Sequence, residues 1–272
     1  MKYLILGSAG QVGAELTKFL KNKGHEVTTF DIVDSSHEDL RIPGSVDDYI
    51  KKSDFVYFLA FDVGGSRYLQ KYQNTYEFVD NNMRILTNTF ECLQKYKTPF
   101  IFASSQMSNM NYSSYGVLKS IGEKYTKILN GIVVKFWNVY GVEHDLNKSH
   151  VITDFILSAK DKNCINMLTD GQEERQMLHA EDCSECLEIL SQNYNTISRD
   201  KELHITSFEW SKIIDIANIV AEIFPGTKVN PANTQDNVQL NKKNEPDTYI
   251  LNYWQPKIKI KDGIKKITEV YN

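Results

Sequence analysis

Tyr115 and Lys119 stand four residues apart in Tyr115-Gly116-Val117-Leu118-Lys119. That spacing is one helical turn, so on a helix the phenol and the ammonium share a face. A cation beside a phenol stabilises the phenolate and lowers its pKa, which makes a group able to take a proton from an alcohol. Ser105 ends the apolar run Phe100-Ile101-Phe102-Ala103-Ser104-Ser105 and can hydrogen-bond the same substrate oxygen. An exposed Tyr and Lys on a helix is the bland alternative. The strand-end serine upstream favours the catalytic reading.

Proton removal of this kind needs a hydride acceptor beside it, and the N-terminus offers a place for one. Residues 2–6 read as an apolar strand, and residues 12–21 carry helical periodicity. Between them Gly7, Gly10 and Gly13, with Gln11 and Val12, predict a turn whose backbone lets a pyrophosphate sit over the helix N-terminus. The second strand, 26–30, ends at Asp31. A carboxylate there accepts from both adenosine ribose hydroxyls and repels a 2′-phosphate, which favours NAD over NADP. A structural turn followed by a loop aspartate is the competing reading.

The alternation continues with a helix over 46–51, a strand over 55–60, one long helical region over 68–96, a strand over 100–102, a helix over 115–129 and a strand over 132–136. This predicts an α/β fold, a Rossmann-type doubly wound parallel sheet covered on both faces. After Tyr140 the rhythm changes. Helices are expected over 151–160, 180–191, 210–223 and 262–270, a short strand over 165–168, and a strand over 203–205 that could rejoin the main sheet. Residues 231–244 read as a long loop. We expect residues 1–141 to form the dinucleotide-binding domain, with 171–206 returning to it. Residues 142–170 and 207–272 form a smaller, interleaved substrate lobe.

The chain has 272 residues with 41% hydrophobic and 24% charged residues, ordinary for a globular protein. A net charge of −4 gives no basic surface for nucleic acid. No apolar run approaches the ~20 residues of a membrane span. No signal-peptide pattern opens the chain, so the expected location is cytoplasmic. Cys183 and Cys186 have CxxC spacing, but in a helical context with no second ligand pair. They, Cys92 and Cys164 are expected to be ordinary thiols with no metal.

Taken together, these motifs resemble those of an extended short-chain dehydrogenase/reductase of the NAD-dependent nucleotide-sugar epimerase/dehydratase family, over nearly the whole chain. The glycine turn with Asp31 matches the family's first motif. Asp39-Leu40 resembles the segment flanking adenine, and Leu59-Ala60 the strand end beside the nicotinamide half. Asn82, with Asn88 and Glu91, resembles the long-helix asparagine motif. Ser105, Tyr115 and Lys119 match the active-site residues. Residues 135–141 resemble "RxFNVYGP", and 171–182 resemble "GxxxRxxxHVxD". Asp62-Val63-Gly64-Gly65, with Gln70, resembles a sugar-facing glycine loop of GDP-mannose 3,5-epimerases and GDP-fucose synthases; a plain βα turn is the alternative.

The resemblance implies NAD as cofactor, a nucleotide-diphosphate sugar as substrate, and a homodimer formed through the two long helices. Lys119 is then expected to hold the nicotinamide ribose. Gly64, Gly65, Gln106, Asn138 and Arg175 become the expected substrate contacts. Arg175 would grip the diphosphate, for which a guanidinium fork is suited, against a surface ion pair with Glu173 or Glu181. Lys242 or Lys243 would stand in for a second arginine that is absent. His179 is expected to cap a helix, while His150 lies in the sugar-facing segment. Two departures narrow the chemistry. Met107 stands where 3,5-epimerases carry a cysteine, and Gln106-Met107 where dehydratases carry an Asp-Glu pair. Hydride transfer at sugar C4, by a 4-epimerase or a 4-dehydrogenase/ketoreductase, is left, with a GDP-sugar as the candidate substrate that the glycine loop implies. The rivals are a noncatalytic NAD-binding regulatory protein and a dehydrogenase of a non-sugar alcohol.

Overall fold

The computed structural model describes residues 1–236, 238 and 244–271. Its first strand, β1 (Lys2–Leu6), runs through the middle of the molecule, with Tyr3, Leu4, Ile5 and Leu6 fully buried. The chain turns into α1 (Gln11–Asn22), returns as β2 (Glu26–Phe30), and passes through α2 (Asp47–Lys51) to β3 (Phe55–Phe58). Helices α3 (Ser66–Tyr72) and α4 (Tyr76–Tyr96) lead to β4 (Phe100–Ser105), and α5 (Ser114–Ile128) leads to β5 (Ile132–Phe136). Then come β6 (Asn138–Tyr140), α6 (Val151–Lys162), β7 (Cys164–Asn166), β8 (Glu174–His179), α7 (Ala180–Gln192) and β9 (Leu203–Ile205). The chain continues through β10 (Trp210–Lys212), α8 (Ile213–Ile223), β11 (Lys228–Asn230) and α9 (Ile260–Tyr271).

Six strands form one parallel sheet in the order β2-β1-β3-β4-β5-β9. Burial on both faces explains why these strands read as unbroken apolar runs. Leu16 and Leu20 of α1 and Cys183, Cys186 and Leu187 of α7 cover one face. Leu86, Phe90 and Leu93 of α4 cover the other. The strand order reverses between β1 and β3, so a crevice opens beyond their carboxyl ends.

The later elements build a second layer. β8 pairs antiparallel with β10 and parallel with β6, and β7 pairs with β11. Helices α6, α8 and α9 enclose a separate core around Ile156, Ile216, Val220 and Ile264. Ile250 and Trp254, late in the chain, pack into the core of the main sheet instead.

The return of residues 203–205 to the main sheet holds. The single helix expected over 68–96 does not. Thr75 leaves helical geometry at ψ 154°, and its hydroxyl accepts from Phe78 N at 3.3 Å, so a new helix starts there. Residues 210–212 are extended rather than helical because they pair with residues 174–176. The strand expected over 165–168 runs from Cys164 to Asn166. Strands β6, β8 and β11 were not anticipated. Lys242 and Lys243 lie outside the described residues.

Helix α5 presses closely on β4. A Cβ at Gly122 would lie 2.3 Å from Cζ of Phe102. Phe102 cannot retreat, being packed against Phe58 and Phe90 at ring distances of 5.2 and 5.6 Å. Alanine is the better helix former by about 1 kcal/mol, yet Gly122→Ala is expected to destabilise the fold by about 1–3 kcal/mol through overpacking. Urea unfolding measures this. An unchanged or raised midpoint would mean that the α5–β4 contact is looser than described.

Candidate active site

The glycine turn is built on close backbone approach. Gly7 adopts φ +87°, and a Cβ there would lie 2.7 Å from Ala60 Cα. A Cβ on Gly13 would lie 2.1 Å from Gly7 O. Larger residues at these two positions would push β1, α1 and the end of β3 apart. Leu59 N donates to Leu6 O at 3.0 Å, which holds Leu59-Ala60 beside the turn. Gly10 begins α1 without a side-chain cap, so the first-turn amides remain donors for an anion. Gln11 ties the turn to the end of β6, donating to Val139 O at 3.1 Å and accepting from Gly141 N at 3.0 Å. Val12 packs against the core.

Asp31 sits at the end of β2 and accepts from Ala9 N and Val33 N, each at 2.9 Å. Asp34 accepts from Ser8 Oγ at 3.5 Å, and Glu38 accepts from Asp31 N at 2.9 Å. Three carboxylates in one corner repel a further phosphate. Tight backbone approach, an uncapped helix start and a fixed acid suit a dinucleotide, and NAD rather than NADP.

Three further residues expected at the cofactor also make contacts within the protein. The Asp39 carboxylate grips the Arg41 guanidinium at 2.8–3.1 Å, which holds its pKa below the usual range. Leu40 is buried, and its carbonyl accepts from Asn88 Nδ2 at 2.9 Å. Asn82, fully buried, accepts from Asp62 N at 2.8 Å and donates to Asp62 O and Phe78 O at 3.1 and 2.9 Å. Its amide thereby anchors the loop after β3.

Ser105, Tyr115 and Lys119 do come together. Ser113 caps α5 by accepting from Gly116 N at 3.1 Å. Gly116 fits under the 106–109 turn, where a Cβ would lie 2.3 Å from Met107 O. This docking brings Tyr115 against Ser105 at the end of β4, and the two side chains are hydrogen-bonded. Burial pushes the Tyr115 phenol up to about 12, while the Ser105 bond works the other way. Lys119 is buried; its Nζ donates to Ala103 O at 2.7 Å and lies 3.8 Å from the ring centre of Phe61. Burial brings Lys119 down to about 7, with Glu123 opposing the shift. The expected depression of the tyrosine pKa by Lys119 is therefore not found. The ammonium is taken up by a carbonyl and an aromatic face, and burial dominates the phenol. Phe61, edge-on to Tyr115 at 5.7 Å, touches both groups.

Among the residues expected at the substrate, Gly64 packs against the Tyr68 and Lys148 side chains and Gly65 against the 149–150 backbone. Gly65 N donates to Lys148 O at 3.0 Å, and a Cβ on Gly65 would lie 2.4 Å from Ser149 O. Gln106 is buried, and its two carbonyls accept from Asn244 Nδ2 at 2.8 and 2.5 Å. Asn138 donates to Gln176 O at 3.4 Å. Arg175 donates to Glu174 O at 2.7 Å and pairs with Asp236 rather than with Glu173 or Glu181. His179 caps α7, accepting from Glu181 N at 3.2 Å. His150 Nδ1 meets the buried Glu143 carboxylate at 2.6 Å. Cys183 and Cys186 are core residues of α7. No group of three or more potential metal ligands lies together among the described residues.

Two residues beside the trio escaped the sequence reading, Phe61 and Glu123. The first directly follows Ala60, and the second stands one helical turn beyond Lys119. Asp62 was read only as part of a glycine loop. It receives Tyr68 Oη at 2.6 Å, Lys148 Nζ at 3.1 Å and Asn81 Nδ2 at 3.2 Å.

Among solved structures, UDP-glucose 4-epimerase from Thermotoga maritima with UDP-glucose superposes at TM-score 0.83 with 17% identity, covering 100% of this chain and 98% of that one. UDP-glucose 4-epimerase from Thermus thermophilus in complex with NAD superposes at TM-score 0.80 with 17% identity, covering 99% and 98%. GDP-mannoheptose C4 reductase from Campylobacter jejuni with NADP bound superposes at 0.79 with 20% identity, covering 99% and 98%. At these identities the likeness is one of fold. No curated protein matches the sequence significantly. The profile of the "NAD dependent epimerase/dehydratase family" matches residues 3–206, from β1 through β9 and just beyond. With a glycine turn that fits NAD and a Ser-Tyr-Lys trio beside it, the chain belongs to the NAD-dependent epimerase/dehydratase family of enzymes.

Proposed function

We propose that this enzyme transfers hydride at C4 of a nucleotide-diphosphate sugar, through a 4-keto sugar. The observation that carries this reading is the hydrogen bond between Ser105 and Tyr115 at the mouth of the glycine crevice, with Lys119 buried one turn away. Bound in that crevice, NAD supplies the hydride acceptor and, on return, the donor. Tyr115 takes the hydroxyl proton as the C4 hydrogen leaves with its electron pair. Ser105 aligns the same oxygen. With NAD bound, Lys119 would hydrogen-bond the nicotinamide ribose.

Met107 stands two residues beyond Ser105 and holds no transferable proton, which supports C4 chemistry over 3,5-epimerisation or elimination. Arg175, drawn from Asp236, would take the diphosphate as a bidentate fork. The outcome is a 4-epimerase if the keto sugar turns and is reduced on its other face, and a 4-dehydrogenase or ketoreductase if it leaves. The glycine loop 62–65, which resembles that of GDP-sugar enzymes, favours a GDP-sugar. Free thiols at Cys92, Cys164, Cys183 and Cys186 suit a reducing compartment, the cytoplasm.

A homodimer through α4 and α5 belongs to the same proposal. Tyr76 and Val79 on α4 and Val117, Tyr125 and Ile128 on α5 are exposed apolar residues, with Ile128 80% accessible.

Three measurements test these readings. Purified protein incubated with UDP-, dTDP- and GDP-sugars, with and without added NAD or NADH, is followed by cofactor absorbance and product NMR. Turnover with one of them is expected, and no turnover with any sinks the sugar reading. Ser105→Ala removes the bond that pulls the phenol down, so the acid limb of sugar oxidation moves to higher pH. Its kcat at neutral pH falls by about 10²–10³; an unchanged profile denies Ser105 its role. Ile128→Asp is expected to yield monomers by light scattering, whereas dimers of unchanged affinity would exclude this face.

A further inference from the structure

Glu123 lies one helical turn beyond Lys119 on α5, which packs against β4. Its carboxylate is 12% exposed. Ser104 Oγ donates to Glu123 Oε1 at 2.5 Å, and Lys135 Nζ lies 3.9 Å from the same oxygen. Lys135, buried on β5, pairs in turn with Glu202 at 2.6 Å. Glu202 meets His204 Nε2 at 2.9 Å, and His204 Nδ1 accepts from Trp137 Nε1 at 3.0 Å. A file of polar groups thus runs from beside Lys119 to the half-exposed Glu202. No step of the hydride chemistry touches it. Burying so many charged groups is costly unless each is paired, so their presence here asks for a role.

The groups that face Lys119 are few. Tyr115 and Glu123 come from its own helix, Phe61 from the segment after β3, and the Ala103 carbonyl from β4. Glu123 is the anion that acts on it among the described residues.

We propose that Glu123 is a positioning residue: clamped between Ser104 and Lys135 one helical turn beyond Lys119, its carboxylate is the counter-charge of the buried Lys119 amine. The inference rests on Lys119 being the partner of Tyr115 in the proposed reaction. A buried amine tends to shed its proton, and burial lowers the pKa of Lys119 while Glu123 opposes that shift. Neutral, it loses one of the three N–H donors that serve the Ala103 carbonyl and would serve a nicotinamide ribose. Lys135 tempers the same carboxylate from the other side, so the two lysines draw on one anion.

Glu123→Gln keeps the shape and an acceptor for Ser104 but removes the charge. The titration of Lys119 is read by NMR on lysine-labelled whole protein, with Lys119→Met to assign the signal. The midpoint is expected to fall by about one pH unit in Glu123→Gln. It rises in Lys135→Met, where Glu123 is no longer shared. In turnover, the alkaline limb of kcat/KM for the glutamine variant moves to lower pH by the same amount, and the rate recovers on its acid side. A purely structural role would lower stability without moving the midpoint. An unmoved midpoint in whichever of the two variants folds overturns the proposal. If the midpoint shifts while no sugar turns over, the coupling stands and the catalytic reading of Lys119 falls.

Discussion

Burying an amine beneath a parallel sheet is the constraint on which the active site depends. Lys119 sits where water cannot stabilise its charge, and each of its contacts compensates in part: a carbonyl on β4, an aromatic face and a carboxylate one turn along the helix. These contacts require α5 to lie hard against β4. Gly116 and Gly122 permit that closeness, and Ser113 fixes where the helix starts. A helix held this tightly delivers Tyr115 to Ser105 without a mobile loop.

The cofactor crevice rests on a related economy of space. Glycine at 7 and 13 allows the ends of β1 and β3 and the start of α1 to meet. The Asp31 carboxylate then locks the turn through Ala9 N. The acid that would receive the ribose is thus also part of the turn that would receive the phosphates. The two halves of the recognition surface share one hydrogen bond.

Much of this was legible in the sequence because it is local. Continuous apolar runs mark doubly covered strands, and the glycine and Tyr-Lys spacings follow from helix and turn geometry. What was missed is nonlocal. The break before Thr75 hides inside a helical composition. β10 hides inside a continuous apolar periodicity, because its extended form depends on pairing with residues 174–176. The spacing of Gly64 and Gly65 could not show that the segment 148–150 packs against them. The electrostatics of the Tyr-Lys pair also misled, since burial outweighs proximity and the spacing alone does not report burial.

The main sheet is not assembled from contiguous chain. Its sixth strand comes from residues 203–205, and Ile250 and Trp254 complete the hydrophobic layer beneath it. During synthesis, β5 must therefore wait with an open edge while some seventy residues are made, and the layer under α7 stays unfilled until Ile250 and Trp254 have left the ribosome. Open edges and uncovered apolar surface invite misassembly. A nascent chain of this architecture completes that core only once residues 250–254 are made, and a product truncated before Ile250 has its hydrophobic layer incomplete.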